Sequence, residues 1–299
     1  MSEAPHLIAV MGPTASGKTG LAEALADQLE AQLVNADAFQ VYRGLDIGTA
    51  KPLDKERYAL LDIKEPTESF GVGEFVRLAH EICLQNWDKK RSLVVVGGTG
   101  LNLRALFEEF SDMQESPNPA LRAELNAALE QKGLTFLVQE LEKLDSDAFE
   151  RVDRANPVRV IRAIERARGE KSAVSFNLPP FRRTKFALDP PSNELSNRIE
   201  YRTREMVQNG WALEIERLRE QGFRPEDPGF RAIGYRAMWD VVEGRRDLEN
   251  AIADTIVETR QYAKRQRTWL RSEPNLIRLS AESKDKPLQQ AMHLLRPLN

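Results

Sequence analysis

The chain has 299 residues, 41% hydrophobic and 30% charged, with a net charge of −3 and one cysteine. This length and apolar content suffice for one large core or two moderate ones and exclude a fibrous or disordered chain. The lone Cys83 excludes an internal disulfide, and with no second cysteine to build a zinc site it reads as a small buried hydrophobe.

The first apolar run, Leu7–Met11, has no basic segment before it and is too short for a signal sequence or a membrane span, which predicts a strand of a soluble, cytoplasmic protein. It runs into "GPTASGKT", Gly12, Pro13, Thr14, Ala15, Ser16, Gly17, Lys18 and Thr19, and a helical pattern follows over Lys18–Glu30. Gly12, Gly17, Lys18 and Thr19 satisfy the phosphate-loop pattern. Backbone N–H groups wrap an anion at a positive helix terminus, lysine adds a point charge and threonine offers a magnesium ligand. A strand before and a helix after set this match apart from a chance glycine turn.

A second strand is expected over Gln32–Ala36, a helix over Val72–Lys89 and a third strand over Leu93–Val96. This βαβ alternation predicts an α/β fold, a P-loop-type parallel sheet flanked by helices. The loops "GPTASGKT", "NADAFQVYRGLDIGTAKP" and "GGTGLNLRAL" should then converge at its carboxyl edge. A nucleoside triphosphatase often places an acid after a later strand, yet Leu93–Val96 runs into Gly97-Gly98-Thr99-Gly100. The nearby acid is Asp37, expected beside the phosphate loop through the first βαβ unit. It suits a turn cap, and it equally suits a general base beside bound phosphate.

From about Ser116 the texture turns to charged helices, Pro119–Lys132, Thr135–Leu144 and Pro157–Arg168, closing near "NLPPF". They predict an all-helical domain at 116–185 inserted into a core of 1–115 and 186–299. Phe186–Leu188 reads as a strand returning to the sheet, with helices starting at Ser192, Trp211, Phe230 and Leu248. Residues 105–150 carry three Lys/Arg against eleven Asp/Glu, whereas 151–204 carry thirteen against six, an asymmetry that points to a polyanionic partner. Arg159, Arg162 and Arg166 share one helix face opposite Val160, Ile161 and Ile164. Arg260, Lys264, Arg267 and Arg271 share another opposite Ile252, Ile256 and Ala263. Either stripe alone is ordinary solvated surface; the two together with a phosphate loop suggest RNA backbone contact. Arg231, in "FRAIGYRAMW", sits where Phe230, Ile233 and Met238 suggest a helix start, and periodicity does not separate an ion pair from a site residue.

"GPTASGKT", "DAFQVYRGLDIGTAKP", "GGTGLNLRAL", "NPVRVIRAIE", "FRAIGYRAMW" and "TRQYAKRQRTWLR", in this order over nearly the whole chain, resemble the tRNA dimethylallyltransferase family of the bacterial type. The resemblance implies transfer of a dimethylallyl group from dimethylallyl diphosphate to the exocyclic N6 amine of the adenosine immediately 3′ of the anticodon, in tRNAs reading U-initial codons. It implies Mg²⁺ as cofactor, the tRNA anticodon stem-loop as partner, a monomer and no membrane. Asp37 resembles the family's base, Thr99 a threonine assisting near it, and Arg231 an arginine on the diphosphate oxygens; Gly12 to Thr19 would hold the diphosphate, with Thr19 as metal ligand. Asp37, Ala38, Phe39, Gln40, Thr99, Arg122, Val158, Arg159, Val160, Ile161, Arg162, Arg260 and Lys264 would touch tRNA. Ala38 and Phe39 stand where the family commonly has serine and methionine, and Asn102 where it has tyrosine. A small-metabolite kinase, a prenyltransferase acting on free adenine nucleotides and a nucleotide-driven RNA-binding switch are the rival readings.

Overall fold

The computed structural model describes residues 4–108, 119–169, 177–280 and 286–296. Strand β1 (His6–Met11) is buried on both faces, as a continuous apolar run requires, and lies inside a six-stranded parallel sheet. The other strands are β2 (Gln32–Asn35), β3 (Tyr58–Ala59), β4 (Leu93–Gly97), β5 (Arg182–Leu188) and β6 (Leu276–Leu279), in the order β3-β2-β4-β1-β5-β6. The parallel α/β expectation holds, with one correction to its geometry. β2 pairs with β4, not with β1, so the loop after β4 lies between the phosphate loop and Asp37. A βαβ unit dictates parallel strands and not adjacent ones, so the pattern leaves room for an intervening strand.

Helix α1 (Lys18–Leu29) covers one sheet face, where Leu21 and Leu25 pack with Ile8, Val10 and Phe186. α2 (Val72–Asp88) and α3 (Gly100–Phe107) follow, then α4 (Pro119–Lys132), α5 (Leu134–Leu144), α6 (Ser146–Arg151) and α7 (Pro157–Arg168). The start of α7 is fixed by Pro157 in its first turn and by Asn156, whose side chain accepts the Arg159 N–H. After β5 come α8 (Ser192–Gln208), α9 (Trp211–Glu220), α10 (Tyr235–Val242), α11 (Leu248–Arg271) and, past β6, α12 (Lys286–Leu295).

Contacts divide the chain into one unit of residues 1–109 with 177–299 and a second of 110–176. The second has its own core, formed by Leu125, Leu137, Leu141, Val160, Ile161 and Ile164 from α4, α5 and α7. The boundary expected at 115–116 lies outside the described residues. At the other end β5 begins at Arg182, before the boundary expected at 185–186, because Arg182 and Arg183 pair with His6 and Leu7 although neither is apolar. The helix expected from Phe230 starts instead at Tyr235; Pro228–Arg231 form a single 3-10 turn, and Gly234 at φ 84° breaks the chain between them.

Candidate active site

The phosphate loop closes over the start of α1. Gly17, at φ 90°, turns the chain into the helix in a conformation a side chain would strain. Ser16 is buried and its hydroxyl has no hydrogen-bond partner among the described residues, which leaves it open to an oxygen of a bound anion. The Lys18 ammonium donates to the Pro13 carbonyl at 3.4 Å. Two arginines one turn apart on α8 lie over the same loop. Arg198 donates to the Ser16 carbonyl at 3.4 Å, and Arg202 to the Thr14 hydroxyl at 3.5 Å. Burial, and then the Arg202 guanidinium, lower the Lys18 pKa to about 8, with Asp37 pulling the other way. Three cations surround one loop, Arg198 paired with Glu194 and Arg202 in the field of Asp37 and Glu205, and together they can seat a multiply charged anion.

Asp37 follows β2. Its Oδ1 accepts the Phe39 N–H at 2.9 Å, so the turn-cap role is real, and it fixes the carboxylate while leaving Oδ2 without a protein hydrogen bond. The Asn35 side chain braces the same turn, accepting the Asp37 N–H at 3.0 Å and donating to the Leu60 carbonyl at 3.0 Å. Thr99, at the start of α3, accepts the Ala38 N–H at 3.3 Å and bonds the Tyr262 hydroxyl. Burial, and then the Asp37 charge, push the Tyr262 phenol up to about 12. From α11 the Gln266 amide clamps two loops together: its oxygen accepts the Thr14 N–H at 2.8 Å and its nitrogen donates to the Gly98 carbonyl at 2.9 Å. A Cβ at Gly98 would overlap that nitrogen, so a side chain there would displace the Gln266 amide from its clamp. Asn102 is buried and donates to the Ala36 carbonyl at 3.1 Å, holding the strand end that carries Asp37.

Asp37, Thr14, Arg202, Tyr262 and Arg231 line one cavity of about 290 Å³. Its far wall includes the loop 45–50. That loop is held by Glu214, whose buried carboxylate accepts the N–H groups of Asp46 (2.8 Å), Ile47 (2.6 Å) and Gly48 (3.4 Å) and the Tyr235 hydroxyl (2.7 Å). Burial raises the Glu214 pKa, partly offset by these donors. The Gln40 amide nitrogen is spent on the Thr49 and Ala50 carbonyls at 3.0 and 3.1 Å, so only its oxygen is open to a base. Phe39 lines the cavity and packs on Tyr42, with ring centroids 6.4 Å apart.

Several residues expected to meet tRNA are otherwise engaged. Val160 and Ile161 are buried in the core of the 110–176 unit, so their side chains offer nothing to a partner; Val158, 74% exposed, and Arg159 do lie on its surface. Arg162 lies half-buried on the same helix. Arg122 is locked in a two-pronged ion pair with Glu165, at 2.7 and 2.6 Å. On α11, Arg260 pairs with Glu200 at 3.1 Å and Arg267 with Asp189 at 2.7 Å, while Lys264 and Arg271 are exposed. Ile252, Ile256 and Ala263 are buried opposite, as the periodicity requires.

Sequence reasoning missed Arg198, Arg202, Tyr262, Gln266 and Glu214. The first two carried a signal, since they stand i, i+4 on a helix inside the basic stretch 151–204. Tyr262 and Gln266 stand in the stretch "TRQYAKRQRTWLR", where periodicity drew attention only to the basic residues, and Glu214 left no signal. Among the described residues, no group of three or more His, Cys, Asp or Glu is placed to hold a metal, and no helix is long and apolar enough to cross a membrane.

The IPP transferase family model matches residues 40–273, and an isopentenyl transferase model matches residues 5–62. The tRNA dimethylallyltransferase of a Picosynechococcus strain is 35% identical over 97% of this chain and 98% of its own, and that of Deinococcus radiodurans 38% over 90% of each. Among solved structures, the full-length tRNA isopentenylpyrophosphate transferase of Bacillus halodurans superposes with a TM-score of 0.71 at 34% identity, over 97% of this chain and 95% of that one. A eukaryotic dimethylallyltransferase, at 23% identity and a TM-score of 0.80, shares the fold over 99% of this chain and 81% of its own. The family model and the relatives agree over nearly the full length, and the chain belongs to the IPP transferase family, that of the tRNA dimethylallyltransferases.

Proposed function

We propose that the chain transfers a dimethylallyl group from dimethylallyl diphosphate to the N6 amine of the adenosine immediately 3′ of the anticodon, in tRNAs reading U-initial codons, and releases diphosphate. The observation that carries this reading is the junction of two half-sites: an anion seat of Ser16, Lys18, Arg198 and Arg202, and beside it a carboxylate, Asp37, with one oxygen free. The allylic C–O bond breaks as its electron pair leaves on the diphosphate, whose charge the loop N–H groups, Lys18 and Arg202 neutralise, with Arg231 at the cavity wall in reach of the same oxygens. The amine nitrogen bonds the allylic carbon and loses its proton to Asp37, because a delocalised adenine lone pair is a poor nucleophile until that proton departs. Thr99, tied to the Ala38 N–H and the Tyr262 hydroxyl, keeps the Asp37 turn in place.

Magnesium fits this seat through the substrate. Thr19, beside Lys18 at the helix start, would offer the ion a hydroxyl, and among the described residues no group of three or more acids is placed to complete its shell. Bound there, the ion would add positive charge to the departing diphosphate. Pro13, Ala15 and Gly12 serve by backbone. The surface of the 110–176 unit, through Val158, Arg159 and Arg162, is a proposed contact for the anticodon stem-loop, and Lys264 on α11 is proposed separately as a tRNA contact.

Incubation with labelled dimethylallyl diphosphate and tRNA, AMP or no acceptor tests the reading. Label in tRNA alone, on that adenosine, is expected; label in AMP alone, or none, overturns it.

A further inference from the structure

The cavity beside Asp37 has a polar end and an apolar end, and two helices give it direction. On α11, Gln266 bonds the phosphate loop, Tyr262 bonds Thr99, and Thr259 and Thr255 continue along the same face away from the loop. On α8, Arg202 bonds Thr14, and Thr203 and Met206 continue likewise. Thr255 lies seven residues, or about 10 Å, past Tyr262 along the helix. There the cavity meets Trp211, the first residue of α9, with Ile233 beside it.

Trp211 is fixed in place. It is 1% exposed, its indole packs edge-on against Tyr235 with centroids 5.4 Å apart, and a Cβ at either Gly48 or Gly234 would overlap its ring. Both neighbours are themselves held, since Tyr235 and the Gly48 N–H bond Glu214. The indole N–H has no hydrogen-bond partner, so packing alone holds the ring. Such a ring cannot swing aside for a longer ligand.

We propose that Trp211, with Met206 beside it, is the end wall that limits the donor to a five-carbon prenyl group. The inference rests on the proposed transfer reaction and goes beyond it to the donor's length. With the diphosphate seated on the loop and the reacting carbon beside Asp37, the branched tail lies along Ile199, Thr203 and Met206, and its methyl groups end against the indole. A second isoprene unit meets that wall.

The test offers equal dimethylallyl and geranyl diphosphate to the full-length protein with tRNA, and reads five- and ten-carbon products as nucleosides by mass spectrometry. Wild type is expected to give a ten-carbon share below about one part in 100. Trp211→Phe, which loses no hydrogen bond, and Met206→Ala should each raise the ten-to-five ratio at least ~10-fold. Thermal unfolding checks that each variant folds, and the two stand independently. Geranyl transfer by wild type at a comparable rate overturns the proposal, as does an unchanged ratio in whichever variants fold. Failure of wild type to use dimethylallyl diphosphate would instead count against the transfer reading itself.

Discussion

At the residue scale, Asp37 carries two roles in one side chain. Its Oδ1 caps the Phe39 N–H, and in the proposed reaction Oδ2 would take the amine proton. Asp37→Asn keeps the cap and removes the base, so turnover should fall by ~10²–10⁴-fold with tRNA affinity nearly unchanged. Single-turnover kinetics and a filter-binding titration separate these effects; near-normal transfer would return Asp37 to a turn cap. Lys18 offers a pH test. Its pKa of about 8 in the ligand-free loop lies below the ordinary lysine value, and a bound anion favours the ammonium and raises it. Affinity for inorganic pyrophosphate without Mg²⁺ is therefore full below about pH 8 and falls above it, by up to ~10-fold per pH unit. Lys18→Arg, charged throughout, supplies the reference for pyrophosphate's own titration. Parallel curves for the two proteins would show that Lys18 does not titrate there.

At the element scale, the basic stripe of α11 splits. Arg260 and Arg267 are committed to Glu200 and Asp189, which tie the helix to α8 and to the end of β5, whereas Lys264 and Arg271 are exposed. If the exposed pair tracks RNA phosphates, the Lys264→Ala/Arg271→Ala double variant should flatten the slope of log affinity against log salt by roughly 0.7–0.9 per lost contact. Arg260→Ala and Arg267→Ala should leave that slope alone; a salt series on folded proteins decides. The loop 45–50 supplies a second case. Tyr235→Phe removes one of the donors on the buried Glu214 carboxylate and should lower stability by about 1–3 kcal/mol in urea unfolding. No change would mean that the three backbone donors suffice.

At the scale of the whole molecule, the chain carries two kinds of core. One is a sheet with α1 and α12 on a face, and the other is the four-helix unit of residues 110–176 with a separate apolar centre. Leu137, fully buried there, has no part in the anion seat. Leu137→Ala should cost that unit about 2–5 kcal/mol and weaken tRNA binding, with the pyrophosphate affinity of the other unit unchanged. Loss of both affinities together would show that the units unfold as one.

The chain's order of residues by itself determined the phosphate loop, the parallel sheet, three helices of the insertion though not the short α6, and the place of Asp37 after β2. Each of these rests on local physics: a glycine with positive φ before a lysine, unbroken apolar runs, a 3.6-residue period, a proline after an asparagine cap. The short β3 and β6, with two and four residues, left no such trace, and Arg182 and Arg183 disguised the start of β5 because partners and not hydrophobicity place them in the sheet. Only the tertiary structure decided that β4 stands between β1 and β2, that Gln266 joins loops lying 252 and 168 residues away, and that Trp211 closes the cavity. Contacts of that span depend on how the helices pack over the sheet edge, and packing is set by complementary shape across the fold, for which no short stretch of sequence has a signature.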